Sequence, residues 1–278
     1  MKLSMLRLLS ATLLLSSALS AATINQNIEE FLTDKFEEND KIESVSVKVK
    51  ESVDLKDLKG WKGYIVEVEA YLKNNPKNQI RQRMIWFSDG TVITKELVNM
   101  ESGRNLTDFI KPKFQNKFYT KANLIYGSEK SRHKVVIFSD PLCPFCKGYV
   151  PGALKDMKKD PAKFAVYYYH MPLERIHPAS VHIVKMAAAA QLKGVKDVML
   201  KMYNITINPR EKDVKKILEA FNKAVGTDLT EKDINDIKVL REVNHDFDVA
   251  NELMVAGTPT VYLDGQIDEK KLGYKTVK

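Results

Sequence analysis

The strongest constraint in the sequence is a pair of cysteines placed just after a short apolar run. Residues 134–138 are predicted to form a buried strand, and Cys143 and Cys146 follow it across a polar turn. Pro144 suits the first position of a helix, where its missing N–H costs nothing and its φ is already helical. The pattern therefore predicts a strand, a turn and a helix, with Cys143 at or near the N-cap and Cys146 one turn further along.

A helix N-terminus favours negative charge on Cys143. Unpaired backbone N–H groups and the helix dipole stabilise an anion there, and a thiolate is such an anion. We expect the Cys143 sulfur to ionise more readily than a free thiol, whose pKa is about 8.5. Cys146 lies deeper in the helix but within reach of a disulfide. The sequence predicts redox chemistry with unequal roles, in which Cys143 attacks and Cys146 resolves.

A zinc site and a structural disulfide are the competing interpretations of the pair. The chain has 2 cysteines, so a second Cys-x-x-Cys motif is impossible. His177 and His182 have finger-like spacing, but they lie too far from Cys146 for a zinc finger. A disulfide that closes so small a loop removes little entropy from the unfolded chain. We therefore predict no metal and no cofactor beyond the redox-active pair Cys143–Cys146.

The N-terminal residues 1–22 have the pattern of a secretory signal peptide. Lys2 and Arg7 precede a mostly apolar run over residues 8–15, and small residues follow as far as Ala22. The run is too short for a permanent membrane anchor, and no later stretch has membrane length, so we expect a soluble mature protein. Export predicts the periplasm, an oxidising compartment in which a disulfide persists.

The charge pattern argues against nucleic-acid binding. The formal net charge is +8, but lysines and arginines alternate with acidic residues along the whole chain. A nucleic-acid interface would require a basic stripe carrying aromatic residues, and the sequence contains none. We expect a solvated charged surface instead.

Residues 23–104 are predicted to form an α+β domain. Apolar residues recur at helical spacing from Ile24 to Phe36. Alternating, strand-like segments are residues 44–50, 64–71 and 79–87, followed by a hairpin turn signal at residues 88–91. Nothing in this part suggests chemistry. Because a small sheet with an exposed edge pairs readily with a second copy, we expect a dimerisation domain.

The remainder is predicted to be a linker over residues 105–130 and a catalytic domain over residues 131–278. The linker prediction rests on polar composition with Pro112 and Gly127. In the catalytic domain, a tyrosine-rich strand at 164–169 is followed by helical patterns over about residues 175–254. Strand signal returns at 260–263. The pattern indicates an α/β domain with inserted helices.

The combination of motifs in the catalytic domain resembles the thioredoxin fold. Cys-Pro-Phe-Cys follows a strand, Pro151 lies inside the next helix, and Gly-Thr-Pro-Thr at 257–260 precedes the last strand. The resemblance implies that Pro259 is cis and stacks against the redox pair. It also implies that Thr258 offers backbone hydrogen bonds to an extended substrate. Pro144 and Phe145, between the cysteines, complete the implied active-site loop.

Within that fold, the segment Asp140–Lys147 resembles the exported bacterial isomerases DsbC and DsbG, whose domain order matches the one predicted above. His177-Pro178-Ala179 and the alanines at 187–190 resemble the inserted helices of the oxidase DsbA. The resemblance implies a homodimer that acts on exported proteins with cysteines and is recycled by a membrane redox partner. An isomerase or reductase is our leading prediction. A dimeric DsbA-like oxidase and a periplasmic holdase chaperone remain alternatives.

Several polar residues near the motif have two interpretations. Asp140 is either a proton relay to Cys146 or a turn residue ahead of the helix, and we favour the turn because Asp is a common turn former. Lys147 is predicted to be solvated, and His177 to cap a helix rather than to bind a ligand. The tyrosines at 167–169 are predicted to alternate between the two faces of a strand.

Overall fold

The computed structural model describes residues 23–55 and 58–278, without the side chains of residues 76–78 and 108. The predicted signal peptide at 1–22 lies outside these residues. The chain divides into two compact units, Met1–Lys111 and Pro112–Lys278. Within the described ranges, every helix is too short or too polar to cross a bilayer.

The first unit is a helix packed on an antiparallel sheet, as the sequence predicted. The helix covers residues 23–37 (α1), and the four strands follow in the spatial order β1-β2-β3-β4. The strands are Ile42–Asp54 (β1), Lys62–Leu72 (β2), Asn75–Ser88 (β3) and Ile93–Thr94 (β4). Ile28 and Leu32 of α1 pack against Val47, Val66 and Trp86 of the sheet. Helical spacing in α1 and alternation in the strands therefore build one core.

β1 lies at an edge of this sheet. It pairs with β2 along its whole length, and the described residues place no strand on its other side. On the sheet face away from α1, Glu67 of β2 accepts ion pairs from Lys50 and Arg83 at 3.2 Å each. The edge is long, as edge-to-edge pairing requires, and one of its backbone N–H groups, that of Val49, donates to the Glu29 carboxylate at 2.8 Å.

The second unit is built on a five-stranded sheet in the order β5-β7-β6-β8-β9. The strands are Leu124–Tyr126 (β5), His133–Ser139 (β6), Phe164–His170 (β7), Thr260–Leu263 (β8) and Gln266–Ile267 (β9). β6 runs parallel to β7 and antiparallel to β8. Its residues 135–138 are fully buried because both faces of the sheet are covered, which explains their unbroken apolar run.

Helices cover both faces of this sheet. They are Pro144–Lys158 (α2), Pro178–Leu192 (α3), Val198–Lys201 (α4), Val214–Val225 (α5), Glu231–Ile234 (α6), Ile237–Glu252 (α7) and Gly273–Thr276 (α8). Five of them, α3 to α7, stand in the chain between β7 and β8. Val135 and Ile137 of β6 face the core that contains α2 and α3. Val136 and Phe138 face the other core. The predicted fold class, α/β with inserted helices, is confirmed.

The structure differs from the predicted linker at residues 105–130. Only the first part of that range belongs to the first unit, as a 3-10 turn at Leu106–Phe109. Phe114 and Phe118 are buried in the core of the second unit, and β5 joins its sheet. Polar composition suggested a free connection, but these apolar side chains find partners only in the folded domain. The second unit therefore begins at Pro112 rather than at residue 131.

Candidate active site

The two cysteines lie where β6 gives way to α2. Cys143 is the N-cap of α2, with extended backbone (φ −64°, ψ 125°), and Pro144 occupies the first turn. The position predicted from Pro144 is therefore confirmed. α2 continues past Pro151 as far as Lys158. This arrangement presents the Cys143 sulfur at the end of the helix that carries partial positive charge.

The two cysteines differ in solvent exposure. Both cysteines are free, with Cys143 4% exposed and Cys146 0% exposed. Phe145, between them, is 78% exposed, and Pro144 is exposed beside it. Cys143 alone therefore offers accessible surface to a group that arrives from solvent. An apolar ring stands next to that point of access.

The loop before β8 meets the cysteines from the opposite side. The Thr258–Pro259 peptide bond is cis, as the resemblance implied. The Cys143 thiol donates a hydrogen bond to the Thr258 carbonyl over 3.6 Å. The structure thus brings Thr258 to the cysteine pair from a segment far away in sequence. Hydrogen bonding of Thr258 to a substrate backbone stays a prediction.

Cys146 is held as a neutral thiol by its surroundings. Burial raises the pKa of Cys146 to about 11, and the nearby Cys143 adds to the increase. The Ser139 hydroxyl, the Thr258 side chain and the Asp140 backbone N–H act in the other direction by hydrogen bonding to the sulfur. Among the described residues, the buried Thr258 hydroxyl has no partner of good hydrogen-bond geometry. The Cys146 sulfur therefore depends on a few fixed donors to become an anion.

A group of buried hydroxyls adjoins Cys146, and sequence reasoning missed it. The Ser139 and Tyr203 oxygens are 2.6 Å apart, and those of Tyr203 and Tyr168 are 2.8 Å apart. Strand alternation from Val135 and Ile137 would have placed Ser139 on this face. No pattern in the sequence indicates Tyr203, which comes from the 3-10 turn Met202–Asn204 in the inserted segment.

The Asp140 carboxylate is fully buried and accepts four hydrogen bonds. One oxygen takes the Leu142 N–H at 2.7 Å and the Ser180 hydroxyl at 2.6 Å. The other oxygen takes the Leu173 N–H at 2.8 Å and the His177 Nδ1 at 2.9 Å. The bond to Leu142 is the local turn that the sequence suggested. The other three fasten this turn to the chain that leads into α3.

The structure confirms some of the predictions for the other polar and aromatic residues near the motif and contradicts others. His177 is the N-cap residue of α3, but its ring bonds Asp140 rather than the helix end. Tyr168 faces the α2 core while Tyr167 and Tyr169 face the other, so the alternation is confirmed. The prediction for Lys147 was wrong. This half-buried side chain donates to the Ile205 carbonyl at 3.3 Å, because the inserted segment packs over the start of α2.

The described residues contain no group of three or more His, Cys, Asp or Glu side chains that would hold a metal ion. The groups that meet at this site are two sulfurs, several hydroxyls and one buried carboxylate. Cys143 keeps a small exposed fraction, and Cys146 has none. Such a pair suits attack on an external disulfide followed by closure of an internal one.

Comparison with known proteins places this arrangement in a family. A family model described as thioredoxin matches residues 119–278. BdbD from Bacillus subtilis, in its oxidised form, is 15% identical, with 60% of this chain and 92% of that chain covered and a TM-score of 0.46. The thiol-disulfide exchange protein alpha-DsbA2 from Wolbachia pipientis is 21% identical, with 58% and 89% covered and a TM-score of 0.45.

A curated relative differs in overall size. The Na(+)/H(+) antiporter NhaA 1 of Mycolicibacterium gilvum (strain PYR-GCK) is 24% identical over 175 residues, which are 58% of this chain. The chain spans only 27% of the length of that relative. The thioredoxin match, in contrast, extends over more than half of the 278 residues and includes the cysteine pair and the cis-proline loop. The chain belongs to the thioredoxin family.

Proposed function

We propose that this protein exchanges thiols and disulfides in exported proteins, acting mainly as a disulfide isomerase or reductase. One observation carries the proposal. The Cys143 thiol stands at the N-terminus of α2 and contacts the Thr258 carbonyl beside a cis proline, over 3.6 Å. Cys146 lies one turn deeper and fully buried. This placement gives the two sulfurs different access to a substrate.

The reaction begins with attack of the Cys143 thiolate on one sulfur of a substrate disulfide. A bond forms between Cys143 and that sulfur, and the second substrate sulfur leaves as a thiolate. Two outcomes follow. When a substrate thiol attacks the substrate sulfur of the mixed disulfide, Cys143 is released unchanged and the substrate has been isomerised. When Cys146 attacks the Cys143 sulfur, the internal disulfide forms and the substrate is reduced.

The rim around Cys143 would receive the substrate chain. Phe145 and Pro144 offer exposed apolar surface on one side, and Thr258 and Pro259 lie on the other. Burying one aromatic side chain contributes about 1.5–3 kcal/mol, which suits a transient complex. Asp140 acts in this proposal as a positioning residue, because its carboxylate is committed to four donors.

Export, dimerisation and recycling belong to the same proposal. The N-terminal pattern at residues 1–22 supports delivery to the periplasm. The free edge of β1 supports pairing of two chains through the first unit. A membrane redox partner would return the Cys143–Cys146 pair to its working state. Light scattering tests the dimer: the chain from residue 23 should be dimeric, and a chain that also lacks 23–104 should be monomeric.

Capture of mixed disulfides tests the exchange reaction. A Cys146→Ala variant keeps the attacking sulfur but lacks the one that resolves the intermediate. When it is expressed in cells with its N-terminal segment, exported proteins with cysteines should accumulate on it in a form that a reductant releases. The matched control is the Cys143→Ala and Cys146→Ala double variant, which should capture none. Equal capture by both variants would contradict the proposal.

An oxidase is the second candidate, supported by the helices inserted between β7 and β8 and by the resemblance of His177-Pro178-Ala179 and the alanines at 187–190 to those of DsbA. The redox state of the pair in cells separates the two. A pair that is mostly dithiol supports isomerase or reductase activity, and a pair that is mostly disulfide supports the oxidase. The holdase chaperone alternative predicts that a Cys143→Ser variant suppresses aggregation of an unfolded protein as well as the natural chain does.

A further inference from the structure

Cys146 lies at the end of a row of three buried hydroxyl groups that the exchange mechanism above does not use. Ser139 is next to the sulfur, Tyr203 is 2.6 Å from Ser139, and Tyr168 is 2.8 Å from Tyr203. Ser139 is fully buried, and both tyrosines are buried with it. A buried row of hydroxyls is costly unless each oxygen has a partner, and here each has at least one.

The row arises from the sheet and from the insertion together. Ser139 follows Val135 and Ile137 on the face of β6 that supports α2. Tyr168 occupies the same face of the parallel neighbour β7, where it pairs with Ile137, two register positions from the pair of Ser139 with His170. Tyr203 is brought above them by the 3-10 turn Met202–Asn204. Three separate segments therefore contribute the oxygens of one hydrogen-bonded series that ends at the sulfur.

A hydroxyl row of this kind has two orientations. Each hydroxyl both donates and accepts, and its hydrogen rotates to suit. While Cys146 is a thiol, its S–H can donate to Ser139. Once it is a thiolate, Tyr168 can donate to Tyr203, Tyr203 to Ser139 and Ser139 to the sulfur. In the second orientation every member reinforces the next, because donors in a chain polarise one another in a medium of low dielectric.

The Thr258 side chain and the Asp140 backbone N–H also hydrogen-bond the Cys146 sulfur, each as a single donor outside the row. The titratable groups that interact with the sulfur or with its hydroxyl partners are Cys143, Asp140, Tyr168 and Tyr203. Lys147 on α2 and His177 at the start of α3 bond Ile205 and Asp140 instead. The Asp140 carboxylate already accepts four hydrogen bonds, and the Lys147 ammonium is held by the Ile205 carbonyl. The Cys143 sulfur is bonded to the substrate when Cys146 must ionise.

We propose that Tyr168, Tyr203 and Ser139 form a donor chain that stabilises the Cys146 thiolate in the resolving step, so that the inserted segment is part of the redox site. The proposal rests on the exchange function above. In the step, Cys146 loses its proton and its sulfur attacks Cys143. The Cys143–Cys146 bond forms, the bond from Cys143 to the substrate breaks, and the substrate sulfur leaves and takes up one proton. Tyr203 is a positioning residue, since it acts through Ser139.

Rapid mixing of the reduced protein with 5,5′-dithiobis(2-nitrobenzoate) tests the proposal. Attack by Cys143 releases a first coloured thiolate, and resolution by Cys146 releases a second. Tyr203→Phe should leave the first phase unchanged and slow the second by about fivefold to tenfold, as loss of one neutral hydrogen bond behind Ser139 implies. The pH midpoint of the second phase should move upward. Ser139→Ala should act similarly, and Ser139→Thr, which keeps a hydroxyl, should retain most of the rate.

The matched control is Tyr167→Phe. Tyr167 lies on the same strand but faces the other core, and its buried hydroxyl has no partner among the described residues. This variant should change neither phase. Unchanged second phases and midpoints in both Tyr203→Phe and Ser139→Ala would overturn the donor chain. Absence of the first phase in the natural chain would instead refute the exchange function, so the two failures are distinguishable. Circular dichroism verifies that each variant is folded.

Discussion

The Ser180 hydroxyl donates to the Asp140 carboxylate over 2.6 Å, joining residues 40 positions apart in the chain. Asp140 begins the turn that leads to the cysteines, and Ser180 lies in the first turn of α3. His177 and Leu173 reach the same carboxylate from the segment between β7 and α3. The geometry of the cysteine turn is thus fixed by side chains and backbone of the inserted region.

Removal of the Asp140 carboxylate should destabilise the second unit strongly. Asp140→Ala leaves four donors without their acceptor, and several of them are buried. We expect the free energy of unfolding to fall by about 3–5 kcal/mol. Urea unfolding followed by tyrosine fluorescence would measure it.

An exposed aspartate of the same unit provides the comparison. Asp160 accepts the Lys163 N–H at 3.0 Å from a solvent-exposed position. Asp160→Ala should stay within about 1 kcal/mol of the natural chain. A similar loss of unfolding free energy in both variants would contradict the larger contribution that we assign to the buried Asp140 carboxylate.

The two thiols should react with iodoacetamide at very different rates. Cys143 has accessible surface at a helix N-terminus, whereas Cys146 is enclosed and burial raises its pKa to about 11. Because the thiolate is the nucleophile, we expect Cys146 to react at least about tenfold more slowly at neutral pH. Peptide mass spectrometry after short labelling locates the adduct. Denaturation in urea should bring the two rates together, and a native Cys146 that reacts first would contradict this.

Two buried groups on β7 and α7 should give opposing pH dependences. The carboxylate of Asp246 accepts the His170 backbone N–H at 2.8 Å. Burial raises the pKa of Asp246 to about 7 and lowers the pKa of the His170 ring to about 3. For Asp246 the folded chain holds a proton that the unfolded chain lacks, so stability is lost as pH rises towards 7. For His170 the unfolded chain binds the extra proton, so stability is lost as pH falls below about 6.5.

Single variants should separate these two slopes. Between about pH 4 and 6.5 the two contributions largely cancel in the natural chain. Relative to it, His170→Gln should lose stability as pH rises, and Asp246→Asn should gain stability, by about 1 kcal/mol per pH unit each. Urea unfolding at the two ends of that window provides the measurement. Parallel curves for all three proteins would show that neither group titrates as described.

Two glycines with nearly equal backbone angles should tolerate alanine unequally. Gly127 and Gly194 have φ of +76° and +78°. A Cβ on Gly127 would overlap the carbonyl oxygen of Phe164, while one on Gly194 would meet nothing within 4 Å. We expect a loss of about 1 kcal/mol for Gly194→Ala and about 2–4 kcal/mol for Gly127→Ala. Thermal unfolding measures both, and equal losses would contradict the overlap.

Local patterns predicted the elements that carry the cysteines. The apolar run before the turn, Pro144 at the start of a helix and Gly-Thr-Pro-Thr before the last strand are short-range signals, and each corresponds to the structure. Gly194 and Gly226, which take the left-handed conformation just after α3 and α5, are signals of the same short range. These features depend on neighbours within a few residues, so a single sequence contains them.

The contacts that complete the candidate site were not predictable in the same way. Tyr203 and Ser139 are 64 positions apart, and Asn123 bonds Asp246 across 123 positions. Such pairs depend on how inserted helices pack on the sheet, which periodicity does not specify. For the same reason the apolar residues Phe114 and Phe118 were assigned to a linker although they fill a core.

The convergence of four donors on one buried carboxylate has a consequence for protein engineering. Transplanting the Cys-Pro-Phe-Cys tetrapeptide into another host of this family would carry over the sulfurs without the anchors that hold their turn, since Ser180, His177 and Leu173 would stay behind. A functional graft would have to include the start of α3 as well as the motif. The transferable module is therefore discontinuous, made of two stretches that meet at Asp140.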